Sequence, residues 1–291
     1  MKVRRSFFVK RTKWMIGLFC LLTVAISGCS QAEQGDSKGD VSLVYVEWDT
    51  ELASTNVIAQ VIEEMGYNVS LTPLDNAIMW ESIAKGEADG MVAAWLPNTS
   101  GAHYEKFKDK VDNLGVNLPT ARVGLVVPTY MEVDSIADLD EQAKKTIVGI
   151  EPGAGVVMAT EKALEDYANL KDWTIDTSSS GVMTVALDQA IRNQEEIIVT
   201  GWSPHWKFAK HKLKYLDDPK NSFGGEESIN TIVRQGLKDD LPEVYQVLAN
   251  FQWEEQDMEE VMLQINKGED PEVAAKNWIA KNPTKVAKWK E

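Results

Sequence analysis

Two segments end an apolar run in the same way: Met91-Val92-Ala93-Ala94-Trp95-Leu96-Pro97 and Ile197-Ile198-Val199-Thr200-Gly201-Trp202-Ser203-Pro204. A third tryptophan, Trp48, follows the run Ser42-Leu43-Val44-Tyr45-Val46-Glu47. An indole at the exit of a buried strand turns its face to whatever lies beyond the sheet edge. Aromatic faces attract cations through the ring quadrupole, and a quaternary ammonium suits them well. A primary ammonium would lose water from its N–H donors and find no acceptor among ring faces, which costs more than the attraction returns. The other chemical feature is the turn Pro152-Gly153-Ala154-Gly155-Val156. It lacks the Lys-Ser/Thr of a phosphate loop and the spacing of a dinucleotide fingerprint. Its glycines let backbone approach a ligand, and free N–H groups at a helix start favour an anion.

Signals for catalysis are poor. The histidines are His103, His205 and His211, and there is no Gly-x-Ser-x-Gly elbow, His-Glu-x-x-His or Cys-His pairing. Ser203 and His205 are neighbours, and adjacent residues rarely make a nucleophile–base pair. The dispersed histidines supply no metal cluster. No enzyme, cofactor or metal is expected. Trp80, Trp173, Trp253, Trp278 and Trp289 are assigned to cores, and Trp206 is left open.

The elements that must position these residues form an internal repeat. In the first copy a strand (42–47) leads to Trp48. A helix follows with Val57, Ile58, Val61, Ile62 and Met65 on one face and Gly66 as its stop. A strand (67–71), a helix (77–85) and the strand that delivers Trp95 complete it. In the second copy a strand over Thr146-Ile147-Val148-Gly149-Ile150-Glu151 precedes the glycine turn. A helix (155–167), a strand (173–176), a helix (181–192) and the strand that delivers Trp202 follow. Glu47 to Trp95 spans 48 residues and Glu151 to Trp202 spans 51. Each β-α-β-α-β copy calls for a parallel sheet flanked by helices, and such sheets bind ligands at the carboxyl ends of their strands. The three tryptophans and the glycine turn all fall at those ends.

Between the copies, Arg122-Val123-Gly124-Leu125-Val126-Val127-Pro128 reads as a strand crossing from one lobe to the other, and 134–139 as a short capped helix. After the second copy, 228–233 is a return strand. Helices are expected over 242–250, over 254–267 and from Asp270-Pro271, where an N-cap and a first-turn proline coincide. Val273, Trp278 and Ile279 are expected to pack onto the first lobe.

The amino terminus reads as a targeting segment. Lys2, Arg4, Arg5, Lys10, Arg11 and Lys13 precede an apolar run over 14–26. That run is shorter than the ~20 residues of a membrane span and fits a signal core. The sequence Ile26-Ser27-Gly28-Cys29 resembles the lipobox of bacterial lipoproteins, with a signal peptide over 1–28 and lipid on Cys29. Residues 30–40 are too polar to fold alone and read as a flexible tether. Cys20 then leaves with the signal, so no disulfide is available to the mature domain. The formal charge of the whole chain is −15, and the six basic leader residues are lost from it. Such acidity argues against nucleic acid or anionic lipid headgroups as partners.

Trp48-Asp49, Ala94-Trp95-Leu96-Pro97-Asn98-Thr99, Glu151-Pro152-Gly153-Ala154-Gly155, Gly201-Trp202-Ser203-Pro204-His205-Trp206 and 212–219 together resemble the glycine betaine-binding lipoproteins of ABC osmoprotectant importers. The resemblance runs from about Val41 to the C-terminus. It implies an α/β, two-lobed type II periplasmic-binding-protein fold, each lobe a mostly parallel sheet flanked by helices. Lobe I would comprise 41–125 plus 229–291 and lobe II 126–228. It implies that Trp48, Trp95 and Trp202 form a prism around a trimethylammonium group, and that the N–H groups of Gly155 and Val156 receive a carboxylate. It implies a lipid anchor on the outer face of the cytoplasmic membrane, and an ABC permease with its ATPase subunit as partners. Close relatives carry a carboxylate-binding histidine five residues past the second tryptophan. Here that position is Ser100, with His103 one helical turn on as the other donor. The alternatives are a choline, carnitine or proline betaine receptor, a lipoprotein enzyme acting on methylated amines, and a sensory ectodomain.

Overall fold

The computed structural model describes residues 37–291. The signal peptide, Cys29 and most of the tether lie outside the described residues. Along the chain the strands are β1 (Asp40–Tyr45), β2 (Asn68–Pro73), β3 (Gly90–Leu96), β4 (Val111–Pro128), β5 (Thr146–Val148), β6 (Thr174–Asp176), β7 (Ile198–Ser203), β8 (Leu213–Tyr215) and β9 (Glu226–Arg234). The helices are α1 (Asp49–Glu64), α2 (Asn76–Ala84), α3 (Gly101–Phe107), α4 (Gly155–Asp166), α5 (Ser180–Asn193), α6 (Trp206–Lys210), α7 (Leu237–Asp240), α8 (Pro242–Asn250), α9 (Glu255–Asn266), α10 (Pro271–Lys281) and α11 (Pro283–Trp289).

The repeat is visible in the pairing. β1 lies between β2 and β3, parallel to both, and β5 lies between β6 and β7, parallel to both. Both copies therefore place their first strand centrally. The central strands read as continuous apolar runs because helices cover both faces, and every residue of β3 is buried.

β4 and β9 join the two copies. The amino-terminal part of β4 pairs antiparallel with β9, and its carboxyl-terminal part pairs with β7 and β8. β9 also pairs with β3, so a single path runs β2-β1-β3-β9-β4-β7-β5-β6. The sequence reading caught only the last seven residues of β4. Register shifts at Asn113/Gly115, Val116/Leu118 and Leu118/Ala121 interrupt the alternation that marks a strand.

Other boundaries differ for local reasons. β1 starts at Asp40, inside the span read as tether, and Lys38 pairs with Glu243 at 2.7 Å. The segment 134–139 holds a single 3-10 turn, Ile136–Asp138, and Ser135 caps it by accepting from Ala137 N. Val273 does not pack inward; it is 42% exposed, and Ala274 and Ala275 take the buried face of α10 beside Trp278 and Ile279. Two alanines allow α10 to lie close against α1, which a valine would hold off. α11 was not anticipated. Its Trp289 stacks on Trp278 at 5.8 Å, and Trp253 meets Trp278 edge-on at 5.9 Å. All five tryptophans assigned to cores are buried.

The cap of α10 is the one read from sequence: Asp270 Oδ1 accepts from Glu272 N at 2.9 Å and Val273 N at 3.3 Å. Asp270→Ala removes an acceptor from two otherwise orphaned donors. It is expected to lower unfolding free energy by about 1 kcal/mol in a denaturant titration.

Candidate functional site

Trp95 and Trp202 each occupy the penultimate position of their strand, and Trp48 is the N-cap residue of α1. After Trp95 and Trp202 the chain turns through cis bonds, Leu96–Pro97 and Ser203–Pro204. The three indoles converge. With Thr50, Thr99, Val123, Ile150, Ala154, Gly155 and Val156 they line one common cavity. Its wall is aromatic and aliphatic except at one end, where α4 begins.

That end is a donor site. α4 starts at Gly155, and its first N–H groups point outward from the helix with no intrahelical acceptor. Val157 and Met158 donate back to Ala154 O, whereas Gly155 N and Val156 N have no acceptor among the described residues. The helix dipole adds partial positive charge at the same place. The cavity thus offers π faces to a cation and two amides to an anion.

Each wall is braced from behind. Trp48 Nε1 donates to Glu151 Oε1, which fixes the indole to the second copy of the repeat. Glu51 Oε2 accepts from Val46 N at 2.6 Å and closes the turn that carries Trp48. Burial, with Glu151 nearby, pushes the Glu51 carboxyl up to about 8. Thr99 is held by Glu227 of β9, which accepts from Asn98 N at 3.2 Å, Thr99 N at 2.9 Å and Thr99 Oγ1. Trp202 meets His205 edge-on at 4.8 Å.

Asp49 crosses from the first copy to the second. Its carboxylate accepts from Trp206 Nε1 at 2.6 Å and Ser180 Oγ at 3.2 Å, and lies 3.5 Å from His205 Nε2. Burial alone would raise its pKa, but His205, Trp206 and Lys207 outweigh that and hold it at about 2. Trp206 is therefore a donor to a cross-copy carboxylate and has no face on the cavity.

Five of the six ligand residues expected from sequence, Trp48, Trp95, Trp202, Gly155 and Val156, line the cavity together. Ser100 does not line it. Its hydroxyl accepts from Trp95 N at 3.2 Å and steadies the end of β3. His103 is also turned away: its ring stacks on Trp80 at 6.2 Å with 14° between planes. Sequence reasoning missed Thr50, Thr99, Val123, Ile150 and Ala154. Thr50 and Ala154 adjoin residues already singled out, and Ile150 ends the run before the glycine turn. Val123 could be found only from its register opposite Trp202.

Comparison with known proteins agrees with this architecture. Residues 39–281 match the family model described as the substrate binding domain of ABC-type glycine betaine transport systems. The glycine betaine/carnitine transport binding protein GbuC of Listeria monocytogenes is 54% identical over 163 residues. That match covers 55% of this chain and 54% of GbuC, so it spans about half the length of this curated relative. The crystal structure of lactococcal OpuAC, closed and complexed with glycine betaine, superposes with a TM-score of 0.85 at 56% identity. It covers 87% of this chain and 100% of that one. The glycine betaine/L-proline-binding protein ProX of Borrelia burgdorferi gives 0.83 at 36% identity, over 87% and 97% of the two chains. The solved relatives of this type are two-lobed binding proteins, and the chain belongs to the family of substrate binding domains of ABC-type glycine betaine transport systems.

Proposed function

We propose that the protein is an extracytoplasmic receptor that captures glycine betaine, or a related carboxylated onium osmolyte, and hands it to an ABC import permease driven by an ATPase subunit. One observation carries the reading. A single cavity combines three indole faces with two unpaired amides at a helix start, and glycine betaine carries a trimethylammonium group and a carboxylate a short distance apart. Trp48, Trp95 and Trp202 take the cation; Gly155 N and Val156 N take the carboxylate. With Ser100 behind the wall, the amides carry the anionic end. The family consists of transport substrate-binding domains rather than enzymes, and the role needs only capture and release.

Residues 41–125 with 229–291, and 126–228, act as two lobes that close on the ligand, with β4 and β9 as the crossing strands. Closure couples binding to a shape the permease reads. Cys29 carries lipid after removal of residues 1–28 and holds the receptor at the outer face of the cytoplasmic membrane.

The test is calorimetry, with a thermal-shift panel, on protein lacking residues 1–29. Glycine betaine, its sulfonium analogue, proline betaine, carnitine and choline are compared. Selective binding stabilises the native state by mass action. Glycine betaine and its sulfonium analogue are expected to bind best, since both carry a carboxylate and a methylated onium centre. Choline, which lacks a carboxylate, binding best would overturn the assignment. Turnover of any betaine would replace it with the enzyme reading.

A further inference from the structure

Behind the cavity wall lies a charged group that the binding scheme does not use. Lys207 is fully buried, and its Nζ sits 4.0 Å from the centroid of the Trp202 ring. It has no hydrogen-bond partner among the described residues. Lys207 does not line the cavity, whereas Trp202 does, so the ammonium lies against the indole on the side away from the ligand space. A buried ammonium without acceptors is costly and usually absent from protein interiors.

Two other titratable groups face it. Asp49, from α1, adds a favourable charge but is already committed to Trp206 and Ser180. His205, from the turn before α6, is kept neutral near pH 7, because burial, reinforced by the Lys207 charge, holds it at about 4. The Trp202 ring is therefore flanked by one cation while its other face is offered to a second. Both draw on the same quadrupole, and they repel each other through a low-dielectric wall.

We propose that Lys207 is an affinity-determining residue that never touches the ligand: its ammonium behind Trp202 opposes the onium group in front, and loss of that charge tightens the cage. The inference rests on the reading of the cavity as an onium site. Burial, opposed only by Asp49, already pulls the Lys207 pKa down to about 7. A bound cation pulls it further, so binding releases a proton, and by linkage affinity rises as pH rises through that range. Asp49 at about 2 and His205 at about 4 keep their charge states there and do not contribute.

The experiment is calorimetry with glycine betaine on wild type, Lys207→Met and Lys207→Gln. Wild-type affinity is expected to rise about threefold to tenfold between about pH 6 and about pH 9, with proton release seen as a dependence of heat on buffer ionisation enthalpy. Both variants should bind at about pH 6 as tightly as wild type does at about pH 9, with no proton release. A flat wild-type profile, a variant that keeps the wild-type profile, or variants weaker at every pH would each overturn the proposal. The wild-type profile alone decides it if neither variant folds. A wild type that binds no betaine at any pH is a separate result, and it removes the proposed function itself.

Discussion

Trp202→Ala is expected to weaken glycine betaine binding at least tenfold while leaving the fold intact. A well-placed indole contributes about 0.5–2 kcal/mol to a desolvated cation, and its removal also opens one wall of the cavity to water. Tenfold corresponds to about 1.4 kcal/mol, so a single ring accounts for it. The fold should survive because β7 is held by its backbone on two sides, antiparallel to β4 and parallel to β5. Trp202→Phe keeps a smaller, weaker π face and should fall between alanine and wild type. Trp278→Ala is the contrasting variant: that ring packs among Trp253 and Trp289 and does not line the cavity, and its loss should lower stability without the same change in affinity. Calorimetry and circular dichroism on the three variants decide the matter. Near-wild-type affinity in Trp202→Ala would count against the aromatic cage.

Much of this site was legible because its information is local. A β-strand ending in tryptophan, repeated after about a hundred residues, shows in composition and spacing, and parallel topology then brings strand ends together. The glycine turn before α4 is equally local. What stayed hidden depends on partners distant in sequence. Glu227 anchors the Asn98-Thr99 turn from 128 residues away, and no pattern around Glu227 announces it. Asp49 reads as an ordinary first-turn acid, yet it accepts from Trp206 and Ser180 across the two copies. The amino-terminal part of β4 was illegible because its register shifts destroy the alternation by which strands are recognised. Ser100 and His103 were candidate donors because the family resemblance puts a carboxylate-binding histidine five residues past Trp95. Their side chains are instead taken up by Trp95 N and by the face of Trp80.

The glycine at the start of α4 leads to the larger effect. Gly155 does not need a glycine for its backbone angles; it needs one for space. A Cβ there would stand 2.4 Å from Thr99 Cγ2 and 2.5 Å from Thr99 O. Gly155→Ala is expected to reduce glycine betaine affinity about 100-fold, or about 2.7 kcal/mol. Thr99 cannot retreat cheaply, because its N–H and hydroxyl are both bonded to the buried Glu227 carboxylate. The start of α4 must then move away from the Trp95 loop. That carries the Gly155 and Val156 amides out of register with the indoles, and with them the proposed anion site. Alanine is a better helix former than glycine by up to about 1 kcal/mol in a helix interior, a gain that offsets part of the collision, so stability without ligand should fall by less than the binding free energy does. This separates the effect from misfolding. Gly153→Ala is the counterpart: Gly153 has φ 85° and nothing within 4 Å of the added Cβ, so its cost is backbone strain in the turn rather than collision. Thr99→Ala in the Gly155→Ala background should not restore binding, since the carbonyl oxygen stays where it was. Recovery of wild-type affinity in that double variant would show that the threonine methyl, and not the approach of two backbones, sets the limit at this contact.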